Sequence, residues 1–418
     1  MRDVIVIGGG AGGLAVAIEI KKRGHDVLLI EREKELGGIL NQCIHNGFGL
    51  DVFKEEYTGP EYADRFIKKF HELKIDFLLD TTVINLQKKD NIFIVKSSNS
   101  QDGISIFKAK TIVLSTGSYE RTRGQISIPG DRPYGVLTAG SAQRYLNKDG
   151  YMVGKKVFVL GSGDIGLIMA RRMTLEGAKV LGVAEIMPYS NGLNRNIVQC
   201  LNDFDIPLYL SHTVTKIKSD HHRLSEILVS KVDENFNIIE GTEKKFEVDT
   251  LLLSIGLIPD ITLLDDLGVE IDQKTKSVKV NQANQTSING LFVCGNALQI
   301  HDLVDNVTKE SERTGEAIDG YLVLGSREHK LINVCAGQHI AYITPQHIDK
   351  MNSFSDIVMS FRSTKKIEIA WLCVKQEEQV IYKKNKMFLA PAEMETIQLN
   401  VESIKGDSDI TVELEVLV

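Results

Sequence analysis

The sequence predicts an α/β fold of two successive doubly wound units followed by a small β-rich segment. Three observations predict it. A strand, glycine-rich turn, helix, strand and terminal acid follow one another at the amino terminus. The same order returns at Lys156. Beyond about residue 330 the pattern changes to short strand-like runs.

The first unit opens on the apolar run Asp3–Ile7 and the turn Gly8-Gly-Gly-Ala-Gly-Gly13, with a helical stretch from Leu14 to Arg23. A second strand, Asp26–Ile30, ends at Glu31. An alternating region from Phe77 to Lys110, with runs at Val83–Leu86 and Ile92–Ser97, leads to Thr111-Ile-Val-Leu-Ser-Thr-Gly117. The second unit repeats that order. Lys156–Leu160 runs into Gly161-Ser-Gly-Asp-Ile-Gly166, then a helix to Gly177, then Lys179–Ala184 ending at Glu185. A meander over Pro207–Val248 closes on Asp249-Thr-Leu-Leu-Leu-Ser-Ile-Gly256. The chain then returns to a strand, Gly290–Cys294, and a long helix over about Asp305–Leu324. The expected domains are residues 1–122 with 250–328, residues 123–249, and a β-rich segment over 329–418 with runs at Ile367–Val374, Gln379–Tyr382 and Ile410–Val418.

Composition narrows the function. Hydrophobic residues make up 43% and charged residues 25%, which suits ordinary globular cores. The net charge of −7 and the scattered Lys/Arg argue against a nucleic-acid partner. No apolar run approaches the roughly 18 residues of a membrane span, and the strand at Val4 leaves no room for a signal peptide. A cytoplasmic location is therefore expected. None of the five cysteines (Cys43, Cys200, Cys294, Cys335, Cys373) forms a C-x-x-C pair, so no zinc or iron–sulfur site of familiar spacing is expected.

Gly8, Gly10 and Gly13 fit the dinucleotide fingerprint G-x-G-x-x-G between a strand and a helix. The first glycine permits the tight turn, the second lets backbone approach a pyrophosphate, and the third lets helix and strand pack closely. Helix N–H groups then face the phosphates, and Glu31 is placed to accept from the ribose hydroxyls. Gly161, Gly163 and Gly166 repeat the fingerprint with Glu185 as the acid. A carboxylate there favours the free 2′-hydroxyl of NAD over the 2′-phosphate of NADP. Ile186-Met-Pro188 follows, with no arginine, so NADH is expected over NADPH. These are two Rossmann-like units, the first for FAD and the second for NAD(H). Ala11, Gly12, Arg32, Ile39 and Val83 are expected to complete the first site, and Asp164 and Ile165 the second.

By these motifs the chain resembles the pyridine-nucleotide disulfide oxidoreductase superfamily over about residues 1–328, with a glutathione-reductase-like arrangement. The resemblance implies that Gly37-Gly38 passes close to the flavin phosphates. Thr116-Gly117 and Gly256 match strand-end turns, and Gly295-Asn296 matches a Gly-Asp pair that binds the ribityl chain, with Asn296 in place of Asp. It implies too that the helix starting near Val304 aims its N–H groups at the flavin pyrimidine edge. The reactive cysteine pair of the disulfide reductases is missing: only Cys43 stands in that region. The stretch Gly117–Ala139 is similar to flavoprotein subunits of hydrogen cyanide synthase, opine oxidase and sarcosine oxidase. Asn41–Gly49, Cys294–Asp305 and Pro391-Ala-Glu-Met394 look like a group similar to anaerobic glycerol-3-phosphate dehydrogenase subunits. That resemblance implies a second dehydrogenase subunit that oxidises a small-molecule substrate, while this chain relays electrons to or from NAD. Self-association is left open.

Four residues are candidates for chemistry beside the flavin. Cys43 is a candidate thiolate and His45 a proton donor. His301 and Asp302 are a candidate acid/base pair. Cys200, Cys335 and Cys373 read as core, and Arg121, Arg123 and Arg132 as interdomain salt-bridge residues. Two rival readings are a self-contained NADH oxidase or disulfide-reductase-like enzyme using Cys43, and a non-catalytic flavin-binding module that docks through its β-rich tail.

Overall fold

The computed structural model describes residues 1–325, 330–350, 354 and 356–417. The expected boundary at 328/329 and the last residue of the Ile410–Val418 run lie outside the described residues. The chain forms two compact units, residues 1–118 with 259–418, and residues 119–258.

The larger unit is built on a mixed seven-stranded sheet. Its parallel part runs in the order Asp76–Leu78, Val27–Ile30, Arg2–Ile7, Gly103–Leu114 and Leu291–Val293. The central strands Arg2–Ile7, Val27–Ile30 and Leu291–Val293 are short and almost wholly apolar because helices and further strands cover both faces. The strand Gly103–Leu114 does two jobs. Its second half pairs parallel with Arg2–Ile7, Leu114 opposite Ile7, and its first half pairs antiparallel with the meander strand Ile92–Asn99. Helix Ala11–Lys22 packs against the long helix Val304–Leu324 over one core, which Ile318 of the long helix shares with Phe292 and Cys294.

The third glycine of the turn is required by this packing. A Cβ on Gly13 would sit 1.8 Å from the Gly8 carbonyl oxygen, so strand and helix would have to part. Gly13→Ala is expected to cost the larger unit about 1–3 kcal/mol by overpacking. The expected fall in Tm is about 3 to 10 °C by calorimetry.

The smaller unit carries a five-stranded parallel sheet in the order Val136–Thr138, Thr250–Leu253, Lys156–Leu160, Lys179–Glu185 and Leu208–Leu210. A three-stranded antiparallel sheet, His212–Asp220, Arg223–Lys231 and Lys244–Phe246, completes it. This is the doubly wound arrangement expected from the repeat.

The β-rich tail belongs to the larger unit. It stacks a five-stranded sheet, which includes Ile367–Gln376, Gln379–Leu389 and Ile410–Val416, on a three-stranded one made of Ile340–Thr344, Asp356–Ser363 and Glu395–Asn400. Its core is its own, with Ile348, Ile357, Met359, Phe361, Leu372 and Leu414 fully buried. Cys335 departs from expectation. Strand alternation buries Val334 and leaves Cys335 exposed. Arg123 departs as well: its guanidinium donates to the carbonyls of Ile128 and Gly130, both at 3.0 Å, and so holds its own loop rather than a salt bridge.

Candidate functional site

The carboxyl ends of the parallel strands in the larger unit bring the glycine turn, Glu31, the Ser115–Gly117 turn and Gly295 to one edge of the sheet. Ligands of open α/β sheets bind at that edge. Hydrogen bonds fix the adjacency. Gly8 N–H donates to Ile30 O at 2.9 Å, Ser115 N–H to Ile7 O at 2.8 Å, and Cys294 N–H to Leu114 O at 3.1 Å. Gly8 has φ +107°, and a Cβ there would meet the Ser115 carbonyl oxygen at 2.3 Å.

Gly10 behaves differently from its neighbours. Its φ of −78° and ψ of −167° suit any residue, and a Cβ would meet nothing nearer than Gly38 Cα at 4.0 Å. No packing inside the protein calls for glycine here. Gly37 and Gly38 lie over the same turn, with Gly37 N–H donating to Gly9 O at 2.9 Å. Helix Ala11–Lys22 begins without a side-chain cap, so its first-turn N–H groups remain to meet an anion. Two glycine backbones and an uncapped helix end form a cradle that a pyrophosphate fits.

Glu31 is 6% exposed and already engaged. Its Oε2 accepts from Gly9 N–H at 2.5 Å and its Oε1 from Glu33 N–H at 2.7 Å. Each carboxylate oxygen keeps a further lone pair for a sugar hydroxyl. Of the other expected contacts, Val83 is buried in the core, Arg32 is exposed and Ile39 is 61% exposed. The Thr116 hydroxyl donates to Asp260 O, so the polar end of that side chain is spent inside the unit.

Gly295 and Asn296 start a loop that reaches the long helix at Val304. Asn296 Oδ1 accepts from His301 N–H at 3.1 Å and closes the loop on itself. Glu310, one and a half turns into the helix, reaches back. Its Oε1 accepts from Gly295 N–H at 2.7 Å, and its Oε2 accepts from Gln299 Nε2 at 2.8 Å and meets His301 Nε2 at 3.1 Å. Asp305, in the first helical turn, accepts from Gly49 N–H at 3.1 Å and Val52 N–H at 2.9 Å, and so ties the 49–52 loop to the helix start.

The expected pairing of His301 with Asp302 is corrected. Adjacent residues on a non-helical loop point apart: the His301 ring, 3% exposed, turns to Glu310, whereas Asp302 pairs with Arg362 of the β-rich tail. Neither side chain is left as a simple acid/base partner of the other.

Cys43 follows a short 3-10 helix, Gly38–Gln42, and its Sγ donates to Ile39 O at 3.3 Å. Burial pushes the thiol up to about 12, so it is protonated at neutral pH and the expected thiolate is not supported. His45 is half-buried, with Nδ1 at 3.0 Å from Asn46 O and its ring 5.0 Å from Phe48.

The smaller unit repeats the first site almost bond for bond. Gly161 N–H donates to Ala184 O at 2.7 Å, and a Cβ on Gly161 would meet Ser254 O at 2.0 Å. Glu185, 3% exposed, accepts from Ser162 N–H at 2.9 Å, from the Ser162 hydroxyl at 2.7 Å and from Met187 N–H at 3.0 Å. Gly166 N–H donates to Ser254 Oγ at 3.0 Å. Asp164 opens the helix Asp164–Leu175, and its Oδ1 takes hydrogen bonds from Leu193 N–H at 2.9 Å and Asn196 Nδ2 at 2.6 Å. Ile165 and Gly163 sit at the same helix start, and Gly256, with φ +101°, accepts from Arg121 N–H at 3.0 Å.

Sequence reasoning did not single out Ser115, Ser254, Glu310 or Arg362. Ser115 and Ser254 had a signal, since each stands two residues before the closing glycine of its repeat. Among the described residues no group of three or more His, Cys, Asp or Glu is placed to hold a metal ion, and no helix is long and apolar enough to cross a membrane.

A family model described as pyridine nucleotide-disulphide oxidoreductase matches residues 2–313, and the chain belongs to that family. FAD and NAD(P)H are the cofactors of the family. The alpha chain of sarcosine oxidase from Corynebacterium sp. (strain U-96) is 26% identical over 272 residues, which are 62% of this chain and 27% of that protein. An opine oxidase subunit of Agrobacterium tumefaciens (strain Ach5) is 24% identical over 321 residues, 71% of this chain and 61% of that one. The chain thus spans less than two thirds of either relative. The crystal structure of T. acidophilum thioredoxin reductase matches with a TM-score of 0.64 at 21% identity, over 77% of this chain and 99% of the other, a likeness of fold.

Proposed function

We propose that the chain is an FAD-dependent oxidoreductase that exchanges hydride equivalents with NADH and works as the electron-transfer subunit of a larger dehydrogenase. The observation that carries the cofactor half is Gly10, where an added Cβ would meet no protein atom nearer than 4.0 Å, so that packing does not call for the glycine. When bound, the two cofactors supply the hydride chemistry, and the protein supplies position and field. Gly10 and Gly38 admit the flavin diphosphate and Glu31 holds its ribose. Gly295 and Asn296 would hold the ribityl chain. The start of helix Val304–Leu324 brings a positive partial charge to the edge where negative charge gathers on reduction. Gly163 and Glu185 do the corresponding work for NADH.

The partner half is supported by the two relatives, both named as subunits of oxidases. Glycerol 3-phosphate or an amino compound is the proposed carbon substrate, oxidised in the partner. The experiment is anaerobic titration of the FAD-loaded protein with NADH, followed by a search for a dehydrogenase that co-purifies with it. Bleaching of the flavin by NADH is expected. A flavin that stays oxidised in excess NADH would overturn the reading.

The half-buried Cys43 thiol gives a further expectation. With desolvation pushing its ionisation up to about 12, the thiol is expected to stay protonated at neutral pH. Cys43→Ser is therefore expected to leave NADH-to-dye turnover within about twofold of the parent. A loss of turnover with flavin content unchanged would bring back a thiol-based oxidase.

A further inference from the structure

The β-rich tail touches the flavin side of the larger unit through one buried cation. Arg362 lies on the strand Asp356–Ser363, and its side chain is 15% exposed. Its Nη2 donates to Ile300 O at 3.0 Å and pairs with Asp302 Oδ1. Its Nη1 donates to Ala392 O, and its Nε to the Tyr342 hydroxyl at 3.1 Å. The second oxygen of Asp302 accepts from Met394 N–H at 2.7 Å. Both oxygens of Asp302 are thus held by the tail, while Glu310 holds the start of the same loop from the helix side.

A buried ion pair is a weak source of net stability, because desolvation offsets most of its attraction. It does fix geometry, since a planar guanidinium binds a carboxylate and carbonyls in set directions. What it fixes here is the loop from Gly295 to Leu303. That loop also carries two buried polar atoms with no partner among the described residues, Gln299 Oε1 and His301 Nδ1. Buried polar atoms are normally satisfied, so the hydrogen bonding of this loop is incomplete within the described residues.

We propose that Arg362 is a positioning residue for the flavin site. It acts through Asp302 on the loop 295–303, which makes the β-rich tail a wall of that site rather than an appended module. The proposal rests on the FAD reading above.

Gln282 supplies the control. Its side chain also docks the tail, donating to Asp349 O and accepting from Asp349 N–H, each at 2.7 Å, and Asp349 lies outside the loop. FAD affinity of the apoprotein, the visible spectrum and the midpoint potential of the bound flavin are measured for the parent, Arg362→Met, Arg362→Lys, Asp302→Asn and Gln282→Ala. Arg362→Met and Asp302→Asn are expected to weaken FAD binding about tenfold or more, and to shift band and potential. Arg362→Lys should fall between, because it keeps the charge without the fork. Gln282→Ala should lower Tm and leave affinity, spectrum and potential unmoved. Parent-like values in Arg362→Met, or equal shifts in Gln282→Ala, would overturn the proposal. Should Arg362→Met not fold, Arg362→Lys and Asp302→Asn decide by the same criteria. Failure of the parent to take up FAD would overturn the FAD reading itself.

Discussion

Gly10→Val is expected to fold normally and lose its flavin. The backbone at Gly10 is extended, with φ −78° and ψ −167°, and asks for no left-handed residue. The nearest atom to an added Cβ is 4.0 Å away. Replacing glycine there also removes freedom from the unfolded chain, which offsets part of the cost of a valine at the helix N-cap. The new methyl groups stand instead in the space where a diphosphate must touch the turn. FAD affinity should fall at least about 100-fold, roughly 3 kcal/mol, while Tm of the apoprotein stays within about 2 °C of the parent. Equilibrium dialysis and calorimetry on the same preparation separate the two effects. Gly13→Ala is the contrast: its Cβ would strike the Gly8 carbonyl at 1.8 Å, so stability should fail first. Full flavin retention by Gly10→Val would remove the main support for a cofactor at this edge.

The same pair of glycines shows what was legible in the sequence. The glycine spacing, the acid at the end of the second strand and the order of elements are local patterns, and both units carry them. That packing requires one glycine and leaves the other free is not local, since it depends on Gly8, Ser115 and Gly38 converging from distant parts of the chain. His301 and Asp302 show a different limit. Adjacency suggested a pair, but their partners are Glu310 on a helix and Arg362 sixty residues away on a strand. Spacing carries no signal for either contact. Cys43 stands where a redox thiol would be sought, and the desolvation that pushes its ionisation up is a tertiary property with no signal in the spacing.

Glu185→Gln is expected to change which nicotinamide cofactor is preferred. Three donors converge on this carboxylate: Ser162 N–H at 2.9 Å, the Ser162 hydroxyl at 2.7 Å and Met187 N–H at 3.0 Å. A carboxamide can satisfy those on one side only, and its NH₂ group then faces donors on the other. The local cost is about 1–3 kcal/mol, so the smaller unit should melt earlier and KM for NADH should rise on the order of tenfold. The selectivity effect runs the other way for NADPH. A unit charge about 5 Å from a 2′-phosphate repels it by roughly 3 kcal/mol at an effective dielectric of 20. Removing that charge lifts the repulsion, and the ratio of kcat/KM for NADPH over NADH should climb about tenfold or more. The readout is that ratio, because a purely structural loss lowers both values together. A raised KM for both cofactors with the ratio unmoved would make Glu185 a brace for the glycine turn and leave discrimination to other residues of the 186–196 segment. A raised ratio would place the discriminating charge on Glu185, a carboxylate that the fold has already surrounded with donors.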